Sequence, residues 1–188
     1  MASAKREQLV DTALELFYQR GFNATGIDKV LAEAGVAKMT LYNHFTSKDE
    51  LILAALRRSD ERFRNWLMRS VEERADTPRA RLLAVFAALD AWFKQDDFRG
   101  CMFINAAAEF SGIADPIQGA AAEHKRLVAG YLAGLAEEAG AKDPERLAFE
   151  LSLLLDGAIV CAHVCGVSDA AARAQAAAEV LIDTALSG

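Results

Sequence analysis

The chain has 188 residues, of which 53% are hydrophobic and 26% are charged, and its formal net charge is −6 at pH 7. A chain of this length with so many apolar residues can bury a core, which excludes an intrinsically disordered protein. Only three prolines are present and alternating runs of Val, Ile and Thr are missing, so we expect an all-α fold.

The first predicted elements form a small N-terminal head of three helices. Apolar residues at helical spacing predict a first helix from Ser3 to Arg20, which Gly21 ends. Thr25 and Asp28 have the spacing of a capping box for a second helix, and Gly35 closes that helix. A third, short helix follows.

The third helix leads into a helical body. Leu41, Tyr42 and Phe45 give the third helix its apolar face, and Ser47 and Glu50 cap a fourth helix. Later helices begin at prolines, because proline has no N–H to satisfy at the first helical position. The predicted bounds of the remaining helices are Pro78 to Phe93, 99 to 111, 116 to 139, 144 to 165 and Ser168 to Leu186. We therefore expect about nine helices.

Charge is unevenly divided between the two predicted domains. The head, residues 1–48, has six basic and five acidic side chains and so carries +1, whereas the body, residues 49–188, carries −7. Within the head, the stretch from Lys38 to Lys48 has two bases, one histidine and no acid. This distribution predicts a small basic surface of the kind that contacts DNA phosphates.

The second and third helices have the pattern of a helix-turn-helix. Gly35 permits the turn and Val36 fills the space between the helices. Helix pairs of this spacing also occur in proteins that bind no DNA, so the outer face is decisive. That face carries ammonium, hydroxyl, amide and imidazole groups, which contact phosphates and base edges. These side chains are Lys38, Thr40, Tyr42, Asn43, His44 and Lys48. Tyr42 is equally compatible with a structural role, and Lys48 with a solvated charge.

Two segments of the head carry a recognisable motif. Residues 21–27 read GFxxTxI, and residues 34–51 read AGVAKxTLYxHFxxKxxL. Both segments resemble the DNA-binding head of the tetracycline-repressor (TetR) family of transcriptional regulators. The resemblance covers about the first quarter of the chain, whereas the C-terminal part is similar to the family only in length and helix number.

The resemblance implies a role for each matching residue at the DNA. Thr25 and Lys48 would contact backbone phosphates, and Tyr42 and His44 would pack and bond against the DNA backbone. Four residues would face the bases: Lys38, Met39, Thr40 and Asn43. The chain departs from the pattern at Ala37, where many relatives have Ser or Thr, so the third helix lacks a side-chain cap.

We expect a pocket for a small hydrophobic or amphipathic effector in the C-terminal domain. Asn105 and Glu109 share a helix face and, with His124, are the polar groups that would orient the compound. The other predicted contacts are Phe86, Phe93, Met102, Phe110 and Tyr131. Alternatively, Glu109 points to solvent and His124 lies on a solvated helix face.

The three cysteines are odd in number and widely spaced, which indicates no disulfide framework. With no hydrophobic signal segment, we expect a cytoplasmic protein outside the membrane. Cys101 follows Gly100 at a predicted helix start near Arg99, which favours the thiolate. This opening resembles a subgroup of the family that senses electrophiles or oxidants; the alternative is a small buried thiol. Cys161 and Cys165 share a helix face, but nothing completes a tetrahedral site, so we predict no metal and no cofactor.

The last two predicted helices are rich in small residues, which allow close helix approach. By resemblance, they pack against their mates in a second chain as a four-helix bundle. We therefore predict a homodimeric repressor of a palindromic DNA operator, released allosterically by its effector. The alternative is a small helical enzyme or ligand carrier that uses Cys101, Glu109 and His124 and binds no DNA.

Overall fold

The computed structural model describes residues 2–112 and 114–187, and these residues form nine helices and no strand. The helices are α1 Ala2–Arg20, α2 Ile27–Ala34, α3 Lys38–Tyr42, α4 Lys48–Glu72, α5 Pro78–Phe93, α6 Met102–Glu109, α7 Pro116–Glu138, α8 Pro144–Cys165 and α9 Ala170–Leu186. The predicted all-α fold is therefore confirmed for the described part of the chain.

Most of the predicted helix starts are present and have the expected caps. Thr77 and Asp143 each accept a hydrogen bond from the backbone N–H three residues further on, and each is followed by the proline that starts a helix. The N–H of Glu50 donates to Oγ of Ser47 at 3.2 Å, as the cap of α4 requires. These local signals place α4, α5 and α8 correctly.

Two predicted caps are wrong, and one helix is shorter than predicted. The N-cap of α2 is Gly26, with no side-chain bond, because the Thr25 hydroxyl donates instead to a carbonyl at the end of α1. The N-cap of α9 is Asp169 rather than Ser168. Helix α6 covers only Met102–Glu109, and it starts later than the predicted residue 99 because Gly100 has a positive φ of 78°, which no right-handed helix contains.

The chain forms two compact units. The first contains the described residues of 1–62 and 101–124, and the second those of 63–100 and 125–188. The boundary expected between residues 48 and 49 lies at the start of α4, inside the first unit. The head helices thus share one unit with α6.

The core of the first unit forms around α1, which contacts both α2 and α3. The side chains buried there are Leu9, Ala13, Phe17, Val30, Leu41, Phe45, Leu51, Ile52 and Leu56. At the edge of this core, Arg58 of α4 donates hydrogen bonds to Glu7 and to Asp11 of α1. Apolar packing and charge therefore both hold α1 against α4.

The second unit is built on mutual contacts among α5, α8 and α9. Its buried side chains include Leu82, Phe86, Leu89, Leu147, Leu151, Leu155, Ala171 and Ile182. Within the described residues, α8 is the one helix long and apolar enough to cross a membrane, and about a third of it is buried. Four large apolar side chains of α8 are exposed: Phe149, Leu153, Val160 and Val164.

Candidate nucleic-acid interface

The turn between α2 and α3 has the geometry that its glycine predicts. Gly35 adopts the left-handed conformation, with φ 62° and ψ 34°. Its N–H donates to the carbonyl of Ala32, and the N–H of Val36 donates to that of Leu31 at 3.2 Å, which together end α2. The turn joins α2 to α3, which contact each other, as in a helix-turn-helix.

Helix α3 is short and is held from its inner side. Its N-cap, Ala37, makes no side-chain bond, as the sequence indicates. Leu41 is fully buried and Phe45, just beyond the helix, is almost so. These two apolar side chains anchor α3, and its other face is left for contact with a partner.

The outer face of α3 is exposed and rich in hydrogen-bond donors. Met39 is 71% exposed and Tyr42 is 50% exposed, and Lys38 and Asn43 are also exposed. The remaining predicted contacts on this side are half-buried: Thr40, His44 and Lys48. An aromatic ring, an amide and an ammonium group thus project together from one helix.

Thr25 is the exception among the predicted DNA contacts. It is only 1% exposed, and its hydroxyl donates to the carbonyl of Gly21 at 2.8 Å and to that of Leu16 at 3.4 Å. Its side chain therefore holds the turn between α1 and α2 and does not face outward to a phosphate.

Sequence reasoning missed two residues of α1 that support the helix-turn-helix. The guanidinium of Arg6 lies 5.3 Å from the ring centroid of Phe45, within the range of a cation–π contact. The amide of Gln8 donates to the carbonyl of Ala34 at 2.8 Å and so satisfies the end of α2. Both contacts join residues far apart in the sequence, and no local pattern identifies them.

The residues predicted to bind an effector are divided between the two units. The first unit contains Met102, Asn105, Glu109 and Phe110, and the second contains Phe86, Phe93 and Tyr131. In the second unit, Phe86 is buried and Phe93 packs against Phe98 with ring centroids 5.0 Å apart.

The expected ligand role of Glu109 is not supported by its position. Its Oε1 accepts a hydrogen bond from the N–H of Phe22 at 2.9 Å, and its Oε2 accepts one from the N–H of Asn23 at 2.6 Å. Phe110 packs edge-on against Phe22, with ring centroids 6.0 Å apart. Both residues therefore contact the turn after α1, and Glu109 does not point to solvent either.

The solvated position favoured for His124 is wrong. Its side chain is 3% exposed and stacks on Phe103, with ring centroids 3.7 Å apart. Its Nδ1 lies 2.8 Å from Oδ1 of Asp60 on α4. His124 therefore joins α4, α6 and α7 within the first unit.

Among the predicted ligand contacts, Tyr131 has a hydroxyl whose hydrogen bonding is not satisfied by the described residues. Its hydroxyl is buried and has no hydrogen-bond partner among the described residues. Burial is the main reason why the pKa of this phenol is raised. A buried hydroxyl without a partner is unfavourable, so a polar ligand atom beside it would be stabilising.

The cysteines occupy two different environments. Cys101 is 6% exposed and is the N-cap of α6, whereas Cys161 and Cys165 are exposed on α8. In the part of the chain that the structure describes, no group of three or more His, Cys, Asp or Glu side chains could hold a metal ion.

Comparison with known proteins covers both parts of the chain. Residues 9–55 match the family model "Bacterial regulatory proteins, tetR family", and residues 78–178, more than half of the chain, match "Tetracyclin repressor-like, C-terminal domain".

Curated relatives and solved structures agree with these matches. The chain is 36% identical over 100 residues to the transcriptional activator FasR of Mycolicibacterium smegmatis, covering 53% of this chain and 45% of FasR. It is 27% identical over 113 residues to the transcriptional repressor DhaR of a Mycobacterium species, covering 60% and 56%. The aligned part thus spans about half the length of these relatives. The structure of SCO4454, a TetR-family regulator from Streptomyces coelicolor, superposes with a TM-score of 0.89 at 29% identity, covering 98% of this chain and 97% of that one.

Proposed function

The chain belongs to the TetR family of bacterial regulatory proteins, and from this premise we propose that it is a transcriptional regulator that binds double-stranded DNA. The observation that carries the proposal is the outer face of α3, where Lys38, Tyr42 and Asn43 are exposed. An α-helix fits the major groove of B-DNA, where amide and ammonium groups distinguish base edges.

The proposed contacts are those that the resemblance to the TetR family implies for this face. Four side chains would face the bases: Lys38, Met39, Thr40 and Asn43. Three would contact the sugar-phosphate backbone: Tyr42, His44 and Lys48. Thr25 is left out of this interface, because its hydroxyl is buried and bonded within the head.

Selection from a random duplex library tests this function. The purified protein should enrich an inverted repeat, and footprinting should show two protected half-sites about one helical turn apart. Enrichment of no sequence, with equal affinity for random duplexes, would contradict it.

We also propose that the protein is a homodimer through α8 and α9. On α8, Phe149, Leu153 and Val164 are each more than half exposed, and on α9 Val180 is too. A groove between the two helices is lined by small and apolar residues, including Gly157 and Ala177. A second copy covering this face would remove it from water and provide the two-fold symmetry that an inverted repeat requires.

We propose that a small hydrophobic or amphipathic effector binds the C-terminal part and controls DNA affinity. The orphaned hydroxyl of Tyr131 supports a contact there. We propose that the protein represses transcription and that the effector releases it from DNA. FasR is named an activator and DhaR a repressor, so a promoter-reporter assay with and without the protein is the test.

Sensing of electrophiles through Cys101 stays a prediction. The burial of the Cys101 side chain agrees better with the alternative, a small thiol packed in the core. A soft electrophile followed by mass spectrometry distinguishes them: rapid modification of Cys101 with release of DNA supports sensing, and slow modification supports packing. The enzyme alternative loses its support, because Glu109 and His124 already have structural partners. A regulator of chromosomal promoters acts in the cytoplasm, which is the location we propose.

A further inference from the structure

The turn that follows α1 presents two backbone N–H groups to one carboxylate. Gly21 adopts a positive φ of 87°, and its own N–H donates back to the carbonyl of Phe17. The next two N–H groups, of Phe22 and Asn23, donate to the two carboxylate oxygens of Glu109 at 2.9 and 2.6 Å. Successive N–H groups beside a left-handed residue form a concave anion site, and here Glu109 occupies it.

Gly21 favours this approach as well as the turn. A Cβ at this position would lie 3.0 Å from Oε1 of Glu109, tighter than nine in ten real Cβ contacts, so the carboxylate would have to shift by a few tenths of an ångström. Glycine therefore removes both the backbone strain of a positive φ and the steric obstacle to the carboxylate.

The same turn is held from its inner side and by aromatic packing. The Thr25 hydroxyl donates to the carbonyl of Gly21 at 2.8 Å. Phe22 stacks on Phe17 of α1 with ring centroids 5.4 Å apart and meets Phe110 edge-on. The segment between α1 and α2 therefore contacts α1 on one side and the end of α6 on the other.

The start of α6 is also fixed within the first unit. Phe103 stacks on His124, and His124 bonds Asp60 of α4. Helix α6 has only eight residues, so its first turn and Glu109 in its last turn are separated by about 10 Å at a rise of about 1.5 Å per residue. A shift or unwinding of this short helix would withdraw the carboxylate from the turn.

We propose that Glu109 is a positioning residue for operator binding. Its carboxylate orders the turn from Gly21 to Gly26. This turn sets the orientation of α2, and hence of α3, relative to α1. The inference rests on the DNA binding proposed above. Without the two hydrogen bonds to the Glu109 carboxylate, the turn must be ordered when DNA binds. This entropy cost weakens DNA affinity although every DNA-contacting side chain is still present.

Operator affinity, measured by fluorescence anisotropy on the selected duplex, is the first test. Glu109→Ala and Glu109→Gln should each weaken binding about tenfold, the equivalent of one charge-assisted hydrogen bond. The matched control is Glu137→Gln, the same change at an exposed carboxylate of α7, which should leave affinity within about twofold. Wild-type affinity of both Glu109 variants would overturn the proposal.

Chemical rescue separates positioning from a general loss of stability. Acetate has the atoms that Glu109→Ala deletes, so acetate should restore most of this variant's affinity at a constant ionic strength kept with chloride. It should not improve the wild type or Glu109→Gln, whose side chains fill the site. Acetate that is no better than chloride would show that the carboxylate does not act at the turn, and the proposal would fail.

Amide hydrogen exchange keeps the inference testable if Glu109→Ala does not fold. In Glu109→Gln, which preserves the side-chain shape, the N–H groups of Phe22 and Asn23 should exchange faster while the buried amides of α1 stay protected. Unchanged exchange at both positions would overturn the proposal. If Glu109→Gln shows the expected faster exchange but the wild-type protein binds no DNA sequence, the proposed function is overturned, and operator positioning with it.

Discussion

At the scale of single residues, the proposed DNA contacts on and beside α3 divide into those that would read bases and those that would bind phosphates. Asn43 is exposed at the end of α3, whereas Lys48 starts α4 and is half-buried. An amide discriminates among base edges, and an ammonium group neutralises a phosphate whatever the sequence. The two residues should therefore affect DNA binding in different ways.

Alanine substitution distinguishes these two roles. Lys48→Ala should weaken binding to operator and random DNA alike and reduce the slope of log affinity against log salt by about one unit. Asn43→Ala should mainly reduce discrimination, by about 1 to 3 kcal/mol between operator and a changed half-site. Salt titrations with both duplexes measure this. Equal effects of the two variants on both duplexes would contradict the assignment.

Lys38 has an intramolecular partner that would compete with DNA for its ammonium group. Its Nζ lies 3.6 Å from Oδ1 of Asp28, and both side chains are mostly exposed. Asp28→Asn should release Lys38 and remove a charge that repels phosphates, so operator affinity should rise about threefold at low salt. The control is Glu33→Gln, which breaks the similar pair with Lys29. An equal gain in both variants would mean that net charge alone is responsible.

At the scale of elements, charge fastens α1 to α4. Arg58 donates to Glu7 and, at 2.8 Å, to Asp11, and Arg62 also donates to Asp11. The hydrogen bond from Arg58 is the main reason why the pKa of Glu7 lies below its ordinary value of 4.5. The pKa of Arg58 is raised for the same reason. This pairing helps to keep the head in place along α4.

The pairing predicts how stability depends on pH. The folded-state pKa of Glu7 is lowered, so its contribution is present above the ordinary value of 4.5 and is lost as the pH falls through the folded-state value. Arg58→Met removes the donor and should lower the urea midpoint at pH 7. The midpoint of the variant should also fall less than that of the wild type when the pH is lowered below the ordinary pKa of Glu7. Urea titrations at pH 7 and under acid conditions measure both. A variant with the wild-type loss in acid would show that other carboxylates dominate.

At the scale of the whole molecule, apolar side chains of α8 are left exposed in the part of the chain that the structure describes. Leu153 and Val164 of α8 are both more than half exposed. Burial stabilises apolar groups by about 25 cal/mol per Å², so an exposed stripe along α8 favours association. The same face explains why α8 has the composition of a membrane span although its other side belongs to the core.

A charge on this face should break the proposed homodimer. Leu153→Glu should shift sedimentation toward the monomer and leave the monomer folded, because the side chain is already exposed. Operator affinity should fall at least about tenfold, since the two half-sites are no longer bound together. Ala122→Glu, an exposed position on α7, is the matched control. If Leu153→Glu still sediments as a dimer, the interface lies elsewhere.

The sequence by itself determined the helices and the DNA-reading element, because both depend on local chemistry. Apolar periodicity, prolines at helix starts and the left-handed Gly35 act within a few residues, so α4, α5, α8 and the helix-turn-helix were predicted correctly. The motif of the head was sufficient to indicate the family that the comparisons then showed.

Only the tertiary structure decided the positions of Glu109 and His124. Each is a polar residue with several possible partners, and its choice depends on which elements pack nearby. Glu109 meets an N–H group 87 residues away, and His124 meets a carboxylate 64 residues away. The inclusion of α6 in the unit that contains the head has the same origin. A spacing rule describes neighbours on one helix, whereas these contacts follow from the packing of separate helices, which no local pattern specifies.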